Sequence, residues 1–396
     1  MLADGRELID GIASWWTACH GYNHPAIVEA IAEQARVLPH VMFGGFVHEP
    51  ALELARRLAA LLPPELDRVF FSESGSVSVE IALKIAIQYW NNRGFPHKRR
   101  VAGFAHGYHG DTFGTISVAP DFHADAELFT AHVRLGTPLP LPVDDETEAA
   151  LAAAFERSAE DIAALIVEPS IQGAGGMRFH NAATLARLRR LADRFKMLLI
   201  FDEIFTGFGR TGSMFALDWA GVVPDIVTLS KALSGGTLPL AATIARREIQ
   251  DLFRSDDPTV ALRHGPTYMG NPLACAAANA SLRLFANEPR LEQVAAIEKA
   301  LREGLEPCRN LPGVADVRVR GAVGVVELAD EPDVTVLRAA FVERGVWIRP
   351  FDKIVYLTPA FTIASDELAT LTEAIRGVLA RGAAPGQARV DDGRRP

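Results

Sequence analysis

The sequence predicts an α/β protein built on a mostly parallel sheet. Short, solidly apolar runs alternate along the chain with segments whose apolar residues recur at helical spacing, which is the pattern of this fold class. The short runs are apolar on both faces, as central strands covered by helices on both sides are. With 396 residues, 49% of them hydrophobic and 22% charged, the composition excludes a disordered or fibrous chain and leaves room for two or three domains.

The first helices are predicted at residues 25–37 and 50–62. Each segment opens with a proline, which is favoured in the first turn of a helix. In the first of them, Ile27, Ile31 and Ala35 share one face, so both segments are interpreted as amphipathic helices that pack one side against a core.

The central sheet is predicted from a series of apolar runs and the helical segments between them. The runs lie at 69–71, 101–104, 163–169, 197–203, 225–230 and 241–245. Helical patterns at 76–90, 146–158 and 181–196 would supply the crossover connections that parallel strands require.

From about residue 287 the pattern changes to that of a smaller α+β domain. It comprises a charged helix at 290–305, a β-rich segment at 314–328, a helix near 334–344 and strands at 346–351 and 354–359. We therefore expect a large domain over 41–286 and a small domain formed by 1–40 and 287–381. Residues 382–396 are rich in Gly, Pro and charge without periodicity, which predicts a disordered tail.

Charge and cysteine content restrict the partners and the compartment. The 49 acidic and 40 basic residues give a net charge of −9, so nucleic acid is not expected as a partner. The sequence has no secretory signal pattern and no apolar stretch of about 18 residues, which predicts a cytoplasmic protein that does not enter membranes.

Cys19, Cys275 and Cys308 match no zinc or redox motif and fit buried thiols. His24 and His109 have no second histidine at ligand spacing, so no metal site is predicted.

Two polar residues at predicted strand ends carry the main chemical signal. Asp202 follows the apolar run 197–201, and Lys231 follows the run that ends at residue 229. Ligands of open parallel sheets bind at the carboxyl ends of the strands, and a lysine there favours Schiff-base chemistry. An aspartate for the pyridine nitrogen and a lysine for the aldehyde are the two groups that pyridoxal phosphate needs. The alternative is that Asp202 only caps the next helix.

Candidate residues for the rest of such a site follow two other strands. Gly75 and Ser76, in the segment 72–76, open the predicted helix at 76–90, where backbone N–H groups favour an anion; a plain helix cap is the alternative. Tyr108 follows another strand and has a ring that can stack on a cofactor, unless it is a packed loop aromatic.

The glycine-rich stretch 172–176 lacks the G-x-G-x-x-G order, which disfavours a nicotinamide site. No G-x-S-x-G motif surrounds the serines, which disfavours a serine hydrolase.

Seven segments together carry a resemblance to a known family over residues 4 to 380. The sequence resembles the class III aminotransferases, and within them the family that moves an amino group from S-adenosylmethionine to 8-amino-7-oxononanoate in biotin synthesis. Relatives that use lysine as the amino donor exist, and the residues do not distinguish the two donors. The D-E-x-x-T-G-F-G-R-T-G string is typical of the class. The tryptophan pair and the H-G-P-T and W-I-R-P segments are typical of the biotin-synthesis family within that class. The segments are DGIASWW (10–16), HGYNHP (20–25), HVMFGG (40–45), GYHGDT (107–112), DEIFTGFGRTG (202–212), HGPTYMGNP (264–272) and VWIRPF (346–351).

The resemblance implies the pyridoxal-phosphate-dependent transferase fold of aspartate aminotransferase, with pyridoxal 5'-phosphate as cofactor. Lys231 would form the Schiff base and then carry the proton between substrate and cofactor, and Asp202 would hold the pyridine nitrogen protonated. Gly75 and Ser76 would bind the phosphate. Pro266 and Thr267 would reach it from a neighbouring subunit, so a homodimer with shared active sites is implied.

The resemblance also implies the substrate residues. Tyr108 would cover the cofactor and touch the substrate, and Gly265 would line the pocket. Arg349 would pair with the far carboxylate of the keto acid, for which its planar fork of donors is suited; a surface ion pair is the alternative. Glu168 would lie near the cofactor, either in a role that stays open or as an ion-pair partner of Arg210.

Trp15 and Trp16 would wall the substrate pocket. Adjacent residues on a strand face opposite ways, so at least one of the two is expected to be core packing.

Members of the family carry a further segment before the region that corresponds to residues 4–11 of this chain. That segment includes a tyrosine that reaches the substrate pocket. We therefore expect this chain to fold but to bind donor or acceptor more weakly than a form with such a segment. Two other functions stay open: a class III transaminase for ω-amino acids or diamines, and a protein that binds pyridoxal phosphate without turnover.

Overall fold

A computed structural model describes residues 2–381, so the tail expected at 382–396 lies outside the described residues. The strands are β1 (Ile9–Asp10), β2 (Leu66–Ser72), β3 (Arg100–Ala102), β4 (Ile162–Val167), β5 (Ile171–Gln172), β6 (Arg178–Phe179), β7 (Leu198–Asp202), β8 (Ile226–Leu229), β9 (Ala241–Arg246), β10 (Val314–Arg320), β11 (Val323–Leu328), β12 (Val346–Trp347) and β13 (Ile354–Leu357). The helices are Pro25–Val37, Glu49–Leu61, Gly75–Asn92, Phe113–Val118, Asp145–Ser158, Ala182–Arg194, Ala216–Ala220, Arg247–Gln250, Pro272–Asn287, Arg290–Leu305, Val334–Glu343 and Ser365–Leu379.

The central sheet has six strands in the order β2-β9-β8-β7-β4-β3. Strand β9 runs antiparallel to both of its neighbours, and the other pairs along β8, β7, β4 and β3 are parallel. The predicted α/β class with a mostly parallel sheet is therefore confirmed. The carboxyl ends of five of these strands meet at one edge.

Helices that flank the sheet begin where the sequence offers a capping side chain. The Oγ of Ser74 accepts the Val77 N–H at 3.3 Å at the start of Gly75–Asn92. At the start of Ala182–Arg194, Oδ1 of Asn181 accepts the Thr184 N–H at 2.9 Å. Such caps satisfy amide groups that have no partner inside the helix.

Alternate residues of β4 pack into cores on opposite faces of the sheet. Leu165 and Val167 belong to the core that contains the helix Ala182–Arg194, whereas Ala164 and Ile166 face the helix Gly75–Asn92. All four side chains are buried. Burial on both faces explains why the strand is apolar throughout, since each fully buried large aliphatic side chain stabilises the fold by about 1.5–3 kcal/mol.

The C-terminal region contains a second, antiparallel sheet in the order β10-β11-β13. The N-terminal β1 joins this region by pairing in parallel with β12, with Ile9 opposite Val346 and Asp10 opposite Trp347. This pairing supports the proposed assignment of residues 1–40 to the small domain, and the domain bounds themselves stay a prediction. None of the helices within residues 2–381 is long and apolar enough to cross a membrane.

Candidate active site

A cavity of about 160 Å³ opens at the edge of the central sheet where the parallel strands end. Asp202 is the last residue of β7, Lys231 follows β8 by two residues, and Glu168 follows β4. The cavity is lined by Trp16, Gly75, Ser76, Tyr108, His109, Gly110, Glu168, Asp202, Ile204, Phe205, Ser230 and Lys231. The sequence-predicted residues near the strand ends are thus brought together, as the topology of a parallel sheet requires.

Asp202 is buried and held by three neighbours. Its Oδ2 lies 2.7 Å from Nδ1 of His109, and its Oδ1 accepts the Thr228 hydroxyl at 3.1 Å and the Ile204 N–H at 3.2 Å. A carboxylate only accepts, so Nδ1 of His109 carries the proton. Burial alone would lower the pKa of His109, but the hydrogen bond to Asp202 and the charge of that carboxylate outweigh burial and raise it.

His109 is a site residue that sequence reasoning missed. It was considered only as a metal ligand, although its place beside Tyr108 in a loop after a strand was a usable signal. Within the described part of the chain, no cluster of three or more His, Cys, Asp or Glu residues is arranged to hold a metal ion.

Lys231 has a strained backbone and a perturbed amine. Its φ is +48°, a left-handed conformation that is uncommon for a residue with a side chain. Its Nζ lies 4.8 Å from the centre of the Trp16 ring. Burial lowers the pKa of the Lys231 ammonium, against the opposing charges of Asp202 and Glu168. A lowered pKa enlarges the neutral, nucleophilic fraction of the amine.

The start of the helix Gly75–Asn92 forms the part of the cavity suited to an anion. The first amides of a helix have no intrahelical acceptor and carry the positive end of its dipole. The loop that contains Gly110 lies tightly against this end, since a Cβ on Gly110 would stand 2.2 Å from Oγ of Ser76. Gly110 also has a φ of +123°, so two constraints favour glycine there.

Tyr108 connects this loop to two carboxylates. Its hydroxyl donates to Asp111 at 3.0 Å, and its backbone N–H donates to Oε2 of Glu168 at 3.0 Å. Burial and the charge of Asp111 raise the pKa of the Tyr108 hydroxyl well above its usual value, so it stays protonated. Its ring packs against Phe122, with 4.7 Å between ring centres.

Glu168 is buried and bonded to backbone amides. Besides the Tyr108 N–H, it accepts the Gly173 N–H at 2.9 Å, and burial raises its pKa to about 7. The predicted alternative of an ion pair with Arg210 is wrong. Arg210 donates instead to the backbone carbonyls of Ala322 and Pro359. Buried carbonyl oxygens need a hydrogen-bond donor, and the guanidinium supplies it.

The tryptophan pair lies on a left-handed turn, so the strand geometry assumed for it is wrong, but the expectation that at least one of the two packs in the core is confirmed by Trp16. Residues 13–16 have φ values of +45°, +47°, +55° and +72°. Trp16 is buried with its ring centre 4.2 Å from that of Phe205, whereas Trp15 is 54% exposed and lies 4.4 Å from Cζ of Arg349. Left-handed backbone costs about 1–2 kcal/mol per residue, so other contacts must hold this turn.

The segment that contains Gly265, Pro266 and Thr267 does not line the cavity of its own chain. Gly265 and Thr267 are exposed. The segment is anchored at its two ends, where Nζ of Lys84 donates to the Arg263 carbonyl at 2.7 Å and Nε2 of His48 lies 2.8 Å from the Gly270 carbonyl.

The chemistry of the donor set fits pyridoxal phosphate. The helix start at Gly75 and Ser76 offers amides for a phosphate, Lys231 offers an amine for an aldehyde, and buried Asp202 offers a carboxylate for a protonated ring nitrogen. All of these residues line the same cavity. A pocket with an anion site, an amine and a buried acid matches each functional group of that cofactor.

Comparisons with known proteins agree with this chemistry. The family model for class-III aminotransferases matches residues 1–379. The adenosylmethionine-8-amino-7-oxononanoate aminotransferase of Buchnera aphidicola subsp. Acyrthosiphon pisum is 44% identical over 385 residues, covering 96% of this chain and 90% of the relative. The solved structure of the Methanocaldococcus jannaschii protein of the same name has a TM-score of 0.91 at 31% identity, covering 96% and 90% of the two chains. A PLP-bound amine transaminase from an uncultivated Pseudomonas species has a TM-score of 0.87 at 32% identity, covering 96% and 92%.

Proposed function

Because the chain belongs to the class III aminotransferase family, which uses pyridoxal 5'-phosphate, we propose that it converts 8-amino-7-oxononanoate to 7,8-diaminononanoate in biotin synthesis. The proposed donor is S-adenosylmethionine, and the two substrates act in turn by a ping-pong mechanism. One observation carries the proposal: a lysine and a buried aspartate line one cavity together with the helix start at Gly75 and Ser76. Trp15 and Arg349 do not line this cavity, and Cζ of Arg349 lies 4.4 Å from the centre of the Trp15 ring. The name that curated relatives at 41–44% identity bear supports this choice of substrates.

The residues of the chain divide the work of such a transfer. Bound pyridoxal phosphate supplies an electron sink for the electron pair left on the substrate carbon when a proton is removed. Lys231, with its lowered pKa, would accept that proton on Nζ and hold it for return. Asp202 would hold a proton on the ring nitrogen, and the amides of Gly75 and Ser76 would bind the phosphate. Trp16 and Phe205 exclude water from the inner side of the cavity.

We propose that Arg349 binds the far carboxylate of the acceptor. Replacing Arg349 by alanine should raise KM for 8-amino-7-oxononanoate about 10- to 100-fold, since a hydrogen bond to a charged group contributes about 1.5–3 kcal/mol. The change in kcat should stay within a few-fold because the reacting carbon lies at the other end of the substrate. Steady-state kinetics measure both values.

Arg344→Ala is the matched control for Arg349→Ala. Arg344 lies in the same region of the chain and donates to the Gly377 carbonyl at 3.2 Å, whereas Cζ of Arg349 lies over the Trp15 ring. Its loss should leave KM for the keto acid unchanged. Equal KM values for wild type and Arg349→Ala would contradict the proposed role.

We also propose that two copies of the chain share their active sites. The exposure of Gly265 and Thr267, outside the cavity of their own chain, supports a role for Pro266 and Thr267 at the phosphate site of a neighbouring subunit. A cytoplasmic location is proposed as well, and the three free, buried cysteines support a reducing compartment.

The proposed function is tested by the visible spectrum of the cofactor-loaded protein before and after addition of 7,8-diaminononanoate alone. This runs the acceptor half of the reaction in reverse and needs no donor. We expect the band of the cofactor in its aldehyde form to disappear as the amine form appears. S-Adenosylmethionine added to a fresh sample should give the same change.

A second candidate function is a transaminase for ω-amino acids or other amines, which the similarity to the Pseudomonas amine transaminase favours. A spectrum that ignores 7,8-diaminononanoate but responds to simple amines would support this candidate and reject the first.

A further inference from the structure

Side chains on both sides hold the left-handed turn Ala13–Trp16: Asp10, which precedes it, and Thr17, which follows it and donates its hydroxyl to the Ser14 carbonyl at 2.9 Å. Oδ1 of Asp10 accepts the Ile12 N–H at 2.8 Å, and Oδ2 accepts the Ser14 N–H at 3.3 Å. The hydroxyl of Tyr22 donates to the same Oδ2 and lies 2.9 Å from Oγ of Ser14. Asp10 and Tyr22 therefore both bond to Ser14, the carboxylate through the backbone N–H and the tyrosine through the side-chain hydroxyl.

Asp10 is itself fixed to the strand that leads to Arg349. It stands opposite Trp347 in the parallel pair β1–β12, and the Gly11 N–H donates to the Trp347 carbonyl at 2.9 Å. Arg349 follows Trp347 by two residues. One short strand pair thus determines the position of the Trp15 ring relative to the guanidinium that lies 4.4 Å from its centre.

The other end of the turn lies against the loop that follows Lys231. A Cβ on Gly236 would stand 2.9 Å from the backbone N of Ala18 and the carbonyl carbon of Thr17. Trp16, the last residue of the turn, lies 4.8 Å from Nζ of Lys231. A change in the path of the turn would therefore move Trp16, which lines the cavity, and also Trp15, which lies against Arg349.

We propose that Asp10 is a positioning residue for acceptor binding: its carboxylate holds the turn that aligns Trp15 with Arg349 and Trp16 with Lys231. This inference rests on the proposed function, in which these side chains contact the keto acid. Asp10 does not line the cavity, so it acts only through the turn. Without the carboxylate, the backbone of residues 13–16 should relax to ordinary φ values. No other side chain in the described structure accepts hydrogen bonds from both the Ile12 and the Ser14 N–H groups.

The test compares Asp10→Ala with wild type in three measurements. We expect KM for 8-amino-7-oxononanoate to rise at least about 10-fold with kcat changed by less than about 3-fold, since losing binding that is equal in the ground and transition states raises KM and leaves kcat unchanged. The affinity for pyridoxal phosphate, from titration of the apoprotein, should stay the same. A crystal structure of the variant should show residues 13–16 with negative φ.

Asp333→Ala is the matched control. Asp333 makes the same kind of bonds, accepting the N–H groups of Thr335 and Val336 at 2.9 and 3.1 Å, but it caps a helix away from the cavity. It should leave KM unchanged. Asp10→Asn serves if the alanine variant does not fold, because it keeps the oxygen for Ile12 and loses the one that Ser14 and Tyr22 use; a smaller rise in KM is expected.

Two outcomes would overturn the inference. One is a variant structure in which residues 13–16 keep their left-handed φ values, which is independent of any substrate. The other is an unchanged KM in both Asp10 variants while Arg349→Ala raises it, which would leave the proposed function standing. If Arg349→Ala and Trp15→Ala also leave KM unchanged, the proposed acceptor pocket itself fails and the inference fails with it.

Discussion

Replacing Lys231 by alanine is expected to lower kcat by more than about 10³-fold while pyridoxal phosphate still binds. Proton transfer by a positioned side chain contributes about 10²–10⁴-fold, and the loss of the amine that attacks the aldehyde adds to this. No other lysine lines the cavity within the described residues. The sites for the phosphate and the ring nitrogen remain in place. Initial rates and the cofactor content after gel filtration measure the two effects.

Two further lysine variants sharpen this experiment. Lys231→Arg keeps a cation but not a nucleophilic amine, so its loss of turnover should be similarly large. Lys353→Ala is the control. Lys353 is exposed, its Nζ donates to the Ala329 carbonyl, and it does not line the cavity. Turnover above a tenth of the wild-type rate in Lys231→Ala would contradict the proposed role of Lys231, and no turnover in the wild type itself would favour a protein that only binds the cofactor.

The central part of the site follows from rules that act along the sequence. Asp202 and Lys231 come directly after runs that are apolar on both faces, and such runs become neighbouring parallel strands, here β7 and β8. Strands that point the same way end at the same edge, so their next residues meet whatever the details of packing. Helix bounds were also predictable, since prolines and caps mark them locally; the helix Arg290–Leu305 matches its predicted range.

The left-handed turn at residues 13–16 was not predictable from the same rules. None of its residues is glycine, so local preference favours ordinary φ values, and the tryptophans imitate a strand pattern. The conformation depends on the Asp10 carboxylate and on the pairing of β1 with β12, more than 300 residues away in sequence. Likewise, the partners of His109 and Arg210 are set by contacts between distant segments. The roles of the site residues stay predictions that the variants test.

Replacing Asp202 by asparagine is the second change with a large expected effect. Asparagine nearly preserves the shape of the Asp202 side chain but removes its negative charge. That charge is proposed to keep a proton on the ring nitrogen of the cofactor, so its loss should make the ring a weaker electron sink. We expect kcat to fall by about 10²–10³-fold, the usual size for the loss of one preorganised electrostatic group. His109 should lose its charged partner, and its raised pKa should fall as burial then dominates. Kinetics and NMR titration of His109 measure the two consequences.

Asp225→Asn is the matched control because Asp225 is also a buried aspartate next to a central strand, but at the opposite edge of the sheet. It precedes β8, pairs with Arg189 at 2.8 Å and Arg246 at 3.1 Å, and accepts the Leu199 N–H at 2.7 Å. Its replacement should cost about 1.5–3 kcal/mol of unfolding free energy and leave kcat of the folded protein unchanged. Asp202→Asn should differ from this control by its large loss of rate in the folded protein. If the two variants lost activity equally, the charge at the carboxyl edge of the sheet would have no special part in the chemistry.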